Sequence, residues 1–207
     1  MAKRIRTVGH STHSIERFIQ LLQQNGVTAL ADVRSAPYSR FNPQFNREPL
    51  RAALKCAEIE YVFLGRELGA RSDDPLCYEN GMVVYDRLAA TALFQRGLDR
   101  LVEGARRYDI ALVCAEKDPL LCHRTILVSR QLILRGVSVE HILGDGSIET
   151  HDAALSRLVR LLGLPERDLF RSRASLIAEA YERQATAIAY QLPEEPPTLA
   201  SGGRSRA

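Results

Sequence analysis

The chain has 207 residues, 45% of them hydrophobic, with a formal net charge of +3 at pH 7 and four cysteines. That length buries an ordinary core as one domain. No apolar run approaches the roughly 18 residues that cross a bilayer, and no apolar stretch follows the basic start "MAKRIRTVGHS", so neither a membrane protein nor a secreted one is expected.

A cytoplasmic protein follows as the expectation, and with it four reduced thiols: Cys56, Cys77, Cys114 and Cys122. The net charge is too small to argue for nucleic acid by itself. Lysine occurs only at Lys3, Lys55 and Lys117, so nearly all the positive charge is arginine, whose planar fork suits carboxylate and phosphate.

In chain order, "IRTV" opens as a short β-branched strand. "SIERFIQLLQQNG" follows with Ile15, Phe18, Ile19 and Leu22 at helical spacing; Ser14 caps its start and Gly26 ends it. "VTALADVRS" reads as a second, almost wholly apolar strand with both faces covered. A polar loop containing Pro37 and Pro43 leads to a helix near Pro49 to Ala57, and "EYVFL" is the third strand.

The loop "GRELGARSDDPLCYENGM" comes next, then one long helix from about Tyr85 to Arg107 with Leu88, Leu98, Leu101, Val102 and Ala105 inward. "IALVC" is the fourth strand, a helix starts with Asp118 as cap and Pro119 as first residue, and "VEHIL" is the fifth strand. After Gly146 the chain is expected to be helical, through "HDAALSRLVRLLG" and about Leu169 to Tyr190. From Pro193 onward there is little to bury, and disorder is expected.

Strands alternating with helices imply a three-layer α/β sandwich: a mostly parallel, Rossmann-like sheet of about five strands with extra C-terminal helices, in a single domain over 1–192. The core spans about 4–146 and the C-terminal helices about 151–190. Strand order is not readable.

Ligands of open parallel sheets bind beyond the carboxyl ends of the strands. Those ends carry His10 and Ser11, Asp32 and Arg34, Arg66, and Cys114 and Glu116, and the following turn brings Cys122, His123 and Arg124. Cys114 ends an apolar strand and reads as a small buried hydrophobe in the wall of the site. Cys122, expected within the first turn of a helix beside His123 and Arg124, is the candidate nucleophile. Glu116 and His123 are candidate proton carriers, with a solvated loop acid and a cap as their plainer readings. Asp32 and Arg34 either form a structural ion pair or, expected to face opposite ways on the strand, leave Arg34 free to hold an anion. The second is the preferred reading, with Arg124 as the other arginine that neutralises the anion. In "PYSRFNPQFNRE", Tyr38, Arg40, Phe41, Phe45 and Arg47 either stack a base or pin the loop to the domain.

"VGHS", "DVRSAPYS", "IEYVFLGRELG" and the Cys-x-Glu-x5-Cys-His-Arg pattern together resemble the DUF488 family of uncharacterised proteins. The resemblance covers most of the chain up to about Gly146. It implies a compact α/β domain and brings no reaction with it.

The leading functional expectation is an enzyme, a cysteine-dependent hydrolase or transferase acting on an anionic, phosphate-bearing or nucleotide-type substrate, with no cofactor. Thiol phosphatases are similar in outline only, since Cys114 to Arg124 makes a longer loop than theirs. Two alternatives stand beside it. One is a zinc or iron site on Cys114, Cys122 and His123 with His10 or His13, although neighbouring Cys122 and His123 on a helix would point about 100° apart. The other is a non-catalytic binder of nucleic acid or phosphate.

Overall fold

Five apolar segments pair side by side in a computed structural model that describes residues 4–193. They are β1 (Arg4–Gly9), β2 (Ala29–Asp32), β3 (Glu60–Phe63), β6 (Ile110–Cys114) and β7 (Ser138–Ile142), all parallel. A sixth, β8 (Ile148–Thr150), runs antiparallel on β7, so the sheet order is β3-β2-β6-β1-β7-β8. The expected tail from Pro193 lies, beyond that residue, outside the described residues.

Helices α1 (Ile15–Gln24) and α2 (Arg47–Cys56) cover one face, where Phe18, Leu21, Leu50 and Leu54 pack on Val8, Leu30 and Val113. The other face carries α4 (Tyr85–Ala90), α5 (Ala92–Gly104), α6 (Arg130–Leu134), α7 (His151–Leu161) and α8 (Arg173–Ile188). There Phe94, Leu98, Leu127 and Leu158 meet Ile5, Ala31 and Leu112. Each such side chain contributes about 1.5–3 kcal/mol by leaving water. With both faces covered, β2 and β6 are buried at every position, which is why they read as apolar runs.

Several local expectations are corrected. The single long helix is two, because Thr91 is extended (φ −66°, ψ 143°) and its hydroxyl caps α5 by accepting from Phe94 N–H at 3.2 Å. The chain after Gly146 is first a strand: the Asp145 carboxylate accepts from Ser147 N–H at 2.9 Å and closes the turn into β8, and Thr150 ends β8 and caps α7. Within the Gly65–Met82 loop lie a short helix, α3 (Gly65–Leu68), and a hairpin of β4 (Tyr78–Glu79) with β5 (Met82–Val83). Its turn is Asn80-Gly81, both at positive φ.

Beyond Asp118 there is only a 3-10 turn at Pro119–Leu121, and helix begins at Arg124 as a π-helical stretch through Ser129 that continues into α6. The Ser129 hydroxyl donates to the Arg124 carbonyl at 2.7 Å, a side-chain partner inserted in the backbone ladder.

The order of the strands positions the site. From β2 the chain leaves through α2 toward β3; from neighbouring β6 it leaves through α6 on the opposite face toward β7. Connections that part in this way open a crevice at the carboxyl ends of the two strands.

Candidate functional site

In that crevice lies a cleft of about 290 Å³ with Arg34, Cys114, Glu116, Cys122 and His123 on its walls. The strand ends supply Arg34 and Cys114, and the loop from Ala115 to His123 folds back over the sheet edge to supply the others. Cys122 is not in a helix, as expected, but extended at φ −140°, ψ 140°. That conformation removes the 100° separation from His123. The His123 ring lies against both cysteines, its Nδ1 3.6 Å from Cys114 Sγ and 3.9 Å from Cys122 Sγ.

The other ring nitrogen orients the ring. His123 Nε2–H donates to the Val33 carbonyl at 3.0 Å, which leaves Nδ1 facing the sulfurs. Burial alone would push the ring down, but the hydrogen bond with Cys122 and its negative charge outweigh it and raise His123 above its ordinary value. Nδ1 is therefore disposed to carry a proton toward Cys122. Burial alone would push the Cys122 thiol up. The hydrogen bond from Cys114, the charge of Arg124 and the contact with His123 outweigh it and hold Cys122 well below a thiol's ordinary value. The Arg124 backbone N–H also points at Cys122 Sγ, at 3.4 Å. Cys114 is pushed the other way, by its bond to Cys122 and by burial, so Cys122 is the sulfur disposed to ionise and Cys114 the S–H donor to it.

Glu116 stands beside them. Burial and then the negative charge on Cys122 raise its carboxyl above the ordinary range, with both cysteines within hydrogen-bonding reach of it. A thiol disposed to ionise, an acid disposed to carry a proton and an imidazole share one small cleft.

The two arginines behave otherwise than expected. Residues two apart on a strand point to the same side, so Asp32 and Arg34 meet. Arg34 Nε and Nη2 donate to the fully buried Asp32 carboxylate at 2.9 and 2.6 Å, and Tyr61 donates to it at 2.8 Å. Arg34 Nη1 lies 3.2 Å from His10 Nε2, which accepts because His10 Nδ1–H is given to the Ser11 carbonyl. Arg34 therefore lines the cleft as half of an ion pair. Arg124 is wholly buried and donates to the carbonyls of Glu116 and Lys117 at 2.7 and 3.3 Å. It shapes the loop and biases Cys122 by its charge rather than reaching a ligand.

His10 and Ser11 belong to a neighbouring hollow of about 300 Å³ with Tyr38, which shares Arg34 and Ala115 with the first. Phe45 is buried and stacks on His10 at 4.3 Å, which pins the aromatic loop, while Tyr38 and Phe41 remain exposed. Arg66 is exposed and not on the wall of the cysteine cleft; it lines a groove along β3 and also a hollow of about 830 Å³ that shares Ser35, Ala36 and Arg71 with the cleft.

Three wall residues escaped sequence reasoning. Tyr85 opens α4 and faces the sulfurs, its hydroxyl pushed up by burial and their charge. Arg71 enters from the loop after α3, stacked over Tyr190 at 4.3 Å, and Tyr190 follows α8. No motif marks them: Arg71 and Tyr85 lie between the quoted motifs, and Tyr190 lies beyond the resemblance. Arg71 has no carboxylate partner among the described residues.

Cys114 Sγ, Cys122 Sγ and a His123 ring nitrogen all lie within 4.8 Å of one another, a donor set of the kind zinc takes.

The family model for the domain of unknown function DUF488 matches residues 14–131. That span holds Asp32, Arg34, the Cys114–Arg124 loop and Arg71, and leaves out His10, Ser11 and Tyr190. No curated protein and no solved structure matches the chain.

Proposed function

The chain belongs to the DUF488 family, and for it we propose a cysteine-dependent enzyme, a hydrolase or transferase acting on a small phosphate-bearing substrate such as a nucleotide. The observation that carries the reading is the setting of Cys122: a thiol that Cys114, Arg124 and His123 hold well below its ordinary value, beside Glu116, whose carboxyl burial and the Cys122 charge raise, in a cleft of substrate size. Arg71, the cation at the cleft without a carboxylate, is assigned the anion.

In the proposed step the Cys122 sulfur attacks phosphorus. The S–P bond forms as the bond to the leaving oxygen breaks, and Glu116 gives that oxygen its proton. Water or an alcohol acceptor then loses a proton to the Glu116 carboxylate as its oxygen attacks, and the thiolate departs. His123 holds the sulfur's charge while it lasts. Unbridged cysteines fit a reducing, cytoplasmic setting; no helix among the described residues is long and apolar enough to cross a membrane.

Trapping with iodoacetamide at pH 7 tests the nucleophile. Reaction at Cys122 faster than at a free thiol is expected, and a rate no faster overturns the assignment. A second reading rests on the mutual approach of the three donors, which would hold Zn²⁺ with Glu116 or substrate in the fourth position. Elemental analysis separates the two: stoichiometric metal that disappears in Cys114→Ser selects the metal centre.

A further inference from the structure

At the edge of the sheet opposite β8, β3 is paired on one side only. The N–H groups of Glu60 and Leu64 donate toward β2, to the carbonyls of Thr28 and Asp32 at 3.0 and 2.8 Å. By the two-residue alternation of a strand, Tyr61 and Phe63 turn their N–H and C=O groups outward. An edge of this kind is a template for another strand.

A groove of about 610 Å³ runs along it, lined by Tyr61, Val62 and Phe63 together. Consecutive strand residues face opposite sides, so a hollow that touches all three straddles the edge. Arginines stand on both sides: Arg47 and Arg51 from α2 over one face, Arg100 from α5 over the other, and Arg66 from α3 beside them. The acids nearby, Glu48, Glu60 and Glu67, leave the four arginines in excess. Glu67 pairs with Arg100, and Glu48 reaches Arg47 and Arg51 only at 3.9 Å each. Glu60 opens β3 without an ion-pair partner, and Arg66 has none either among the described residues. On the α5 side a second hollow of about 230 Å³, walled by Val62, Leu101 and Tyr108, shares Val62 and Arg100 with the first.

We infer that the β3 edge docks an extended acidic segment of a partner protein, which joins the sheet as a further strand. Its carboxylates meet the arginines above and below the edge, and one apolar side chain enters the hollow beside Val62. Main-chain pairing supplies affinity, and the charges supply the choice of partner. A second copy of this chain would bring arginines onto arginines. Single-stranded nucleic acid would need open aromatic faces, but Arg47 covers the Phe63 ring at 4.8 Å and Asp32 holds the Tyr61 hydroxyl. The site is separate from the cysteine cleft and stands whether or not Cys122 is a nucleophile.

The test uses the full chain and a short fluorescein-labelled peptide of glutamate and valine, followed by anisotropy. Salt-sensitive binding is expected, weakened about tenfold or more in the Arg51→Glu, Arg66→Glu double variant and unchanged in Cys122→Ser. The same peptide N-methylated at alternate amides should lose binding, because it can no longer pair with Tyr61 and Phe63. Equal binding of the methylated peptide overturns strand addition. Tighter binding of a single-stranded oligonucleotide of equal charge overturns the peptide partner, and a dimer that the double variant abolishes assigns the edge to a second copy. Unfolding of the double variant is checked by its melting temperature; if it melts early, Arg51→Gln with Arg66→Gln takes its place under the same criteria.

Discussion

Arg34 grips Asp32 through two side-chain hydrogen bonds, at 2.9 and 2.6 Å, and the Arg34 backbone N–H adds a third at 3.1 Å. Both groups are buried, so each is the other's main compensation for leaving water. Asp32→Asn keeps the shape and removes the charge. We expect it to lower stability by about 3 kcal/mol, because it leaves a buried guanidinium uncompensated. Urea denaturation reads this directly, and a loss below about 1 kcal/mol would mean that water reaches Arg34.

The two cysteines of the cleft should separate cleanly. Cys122→Ser is expected to abolish alkylation at that position and turnover while changing stability by less than about 1 kcal/mol. Cys114→Ser should slow alkylation of Cys122 and also destabilise, since a hydroxyl enters the buried end of β6. Mass spectrometry of the alkylated protein, run beside thermal melts, distinguishes the roles; fast alkylation of Cys122 in Cys114→Ser would show that Cys114 gives the thiolate nothing.

The layered fold and the crevice were legible in the sequence because buried parallel strands read as apolar runs and because reactive residues cluster at their carboxyl ends. Cys114, Glu116, Cys122 and His123 do converge. What the sequence hid has physical causes. β8 is three residues long, too short for any period to show. Asn80-Gly81 was a readable hairpin signal obscured by its polar loop. Asp118-Pro119 imitates a helix start but closes only a 3-10 turn, so the geometry of Cys122 and His123 was misjudged. The Asp32–Arg34 pair needed only correct counting along a strand. Tyr190 and Arg71 come together through tertiary packing, which leaves no local trace.

Acid should unfold the protein through its histidines. Thr7, His141, His151 and Tyr181 form a buried chain of hydrogen bonds of 2.8, 3.1 and 2.6 Å from the sheet to α8. Burial lowers His141 to about 3 and His151 to about 4, and it lowers His10, under Phe45, to about 4. In the unfolded chain each binds a proton near pH 6.5. Between these values the unfolded state holds more protons, so stability is complete above about pH 6.5 and falls as pH drops toward 4. Each group adds up to about 1.4 kcal/mol per pH unit. Equal unfolding free energies at pH 7 and pH 5 would show that these rings are charged or hydrated in the fold.

Gly9 is the last residue of β1, in register with Cys114, and the loop that carries the chemistry passes directly over it. A Cβ there would lie 2.0 Å from the Glu116 carbonyl oxygen and 3.3 Å from Arg124 Nη2. That same carbonyl accepts from Arg124 at 2.7 Å, so the methyl of Gly9→Ala cannot enter without moving the loop off its arginine. The obstruction is backbone, which cannot rotate away as a side chain would. We therefore expect Gly9→Ala to cost about 2–3 kcal/mol, within the range for overpacking. Because Arg124 is among the groups that hold the Cys122 thiolate, the variant should also lose alkylation rate at pH 7 in protein that is still folded, and regain part of it at higher pH as the thiol ionises. Melting temperature and alkylation measured on one preparation check both parts. A variant that melts and alkylates like the parent would show that the loop is not held by the approach to Gly9, and would detach the "VGHS" segment from the chemistry of Cys122.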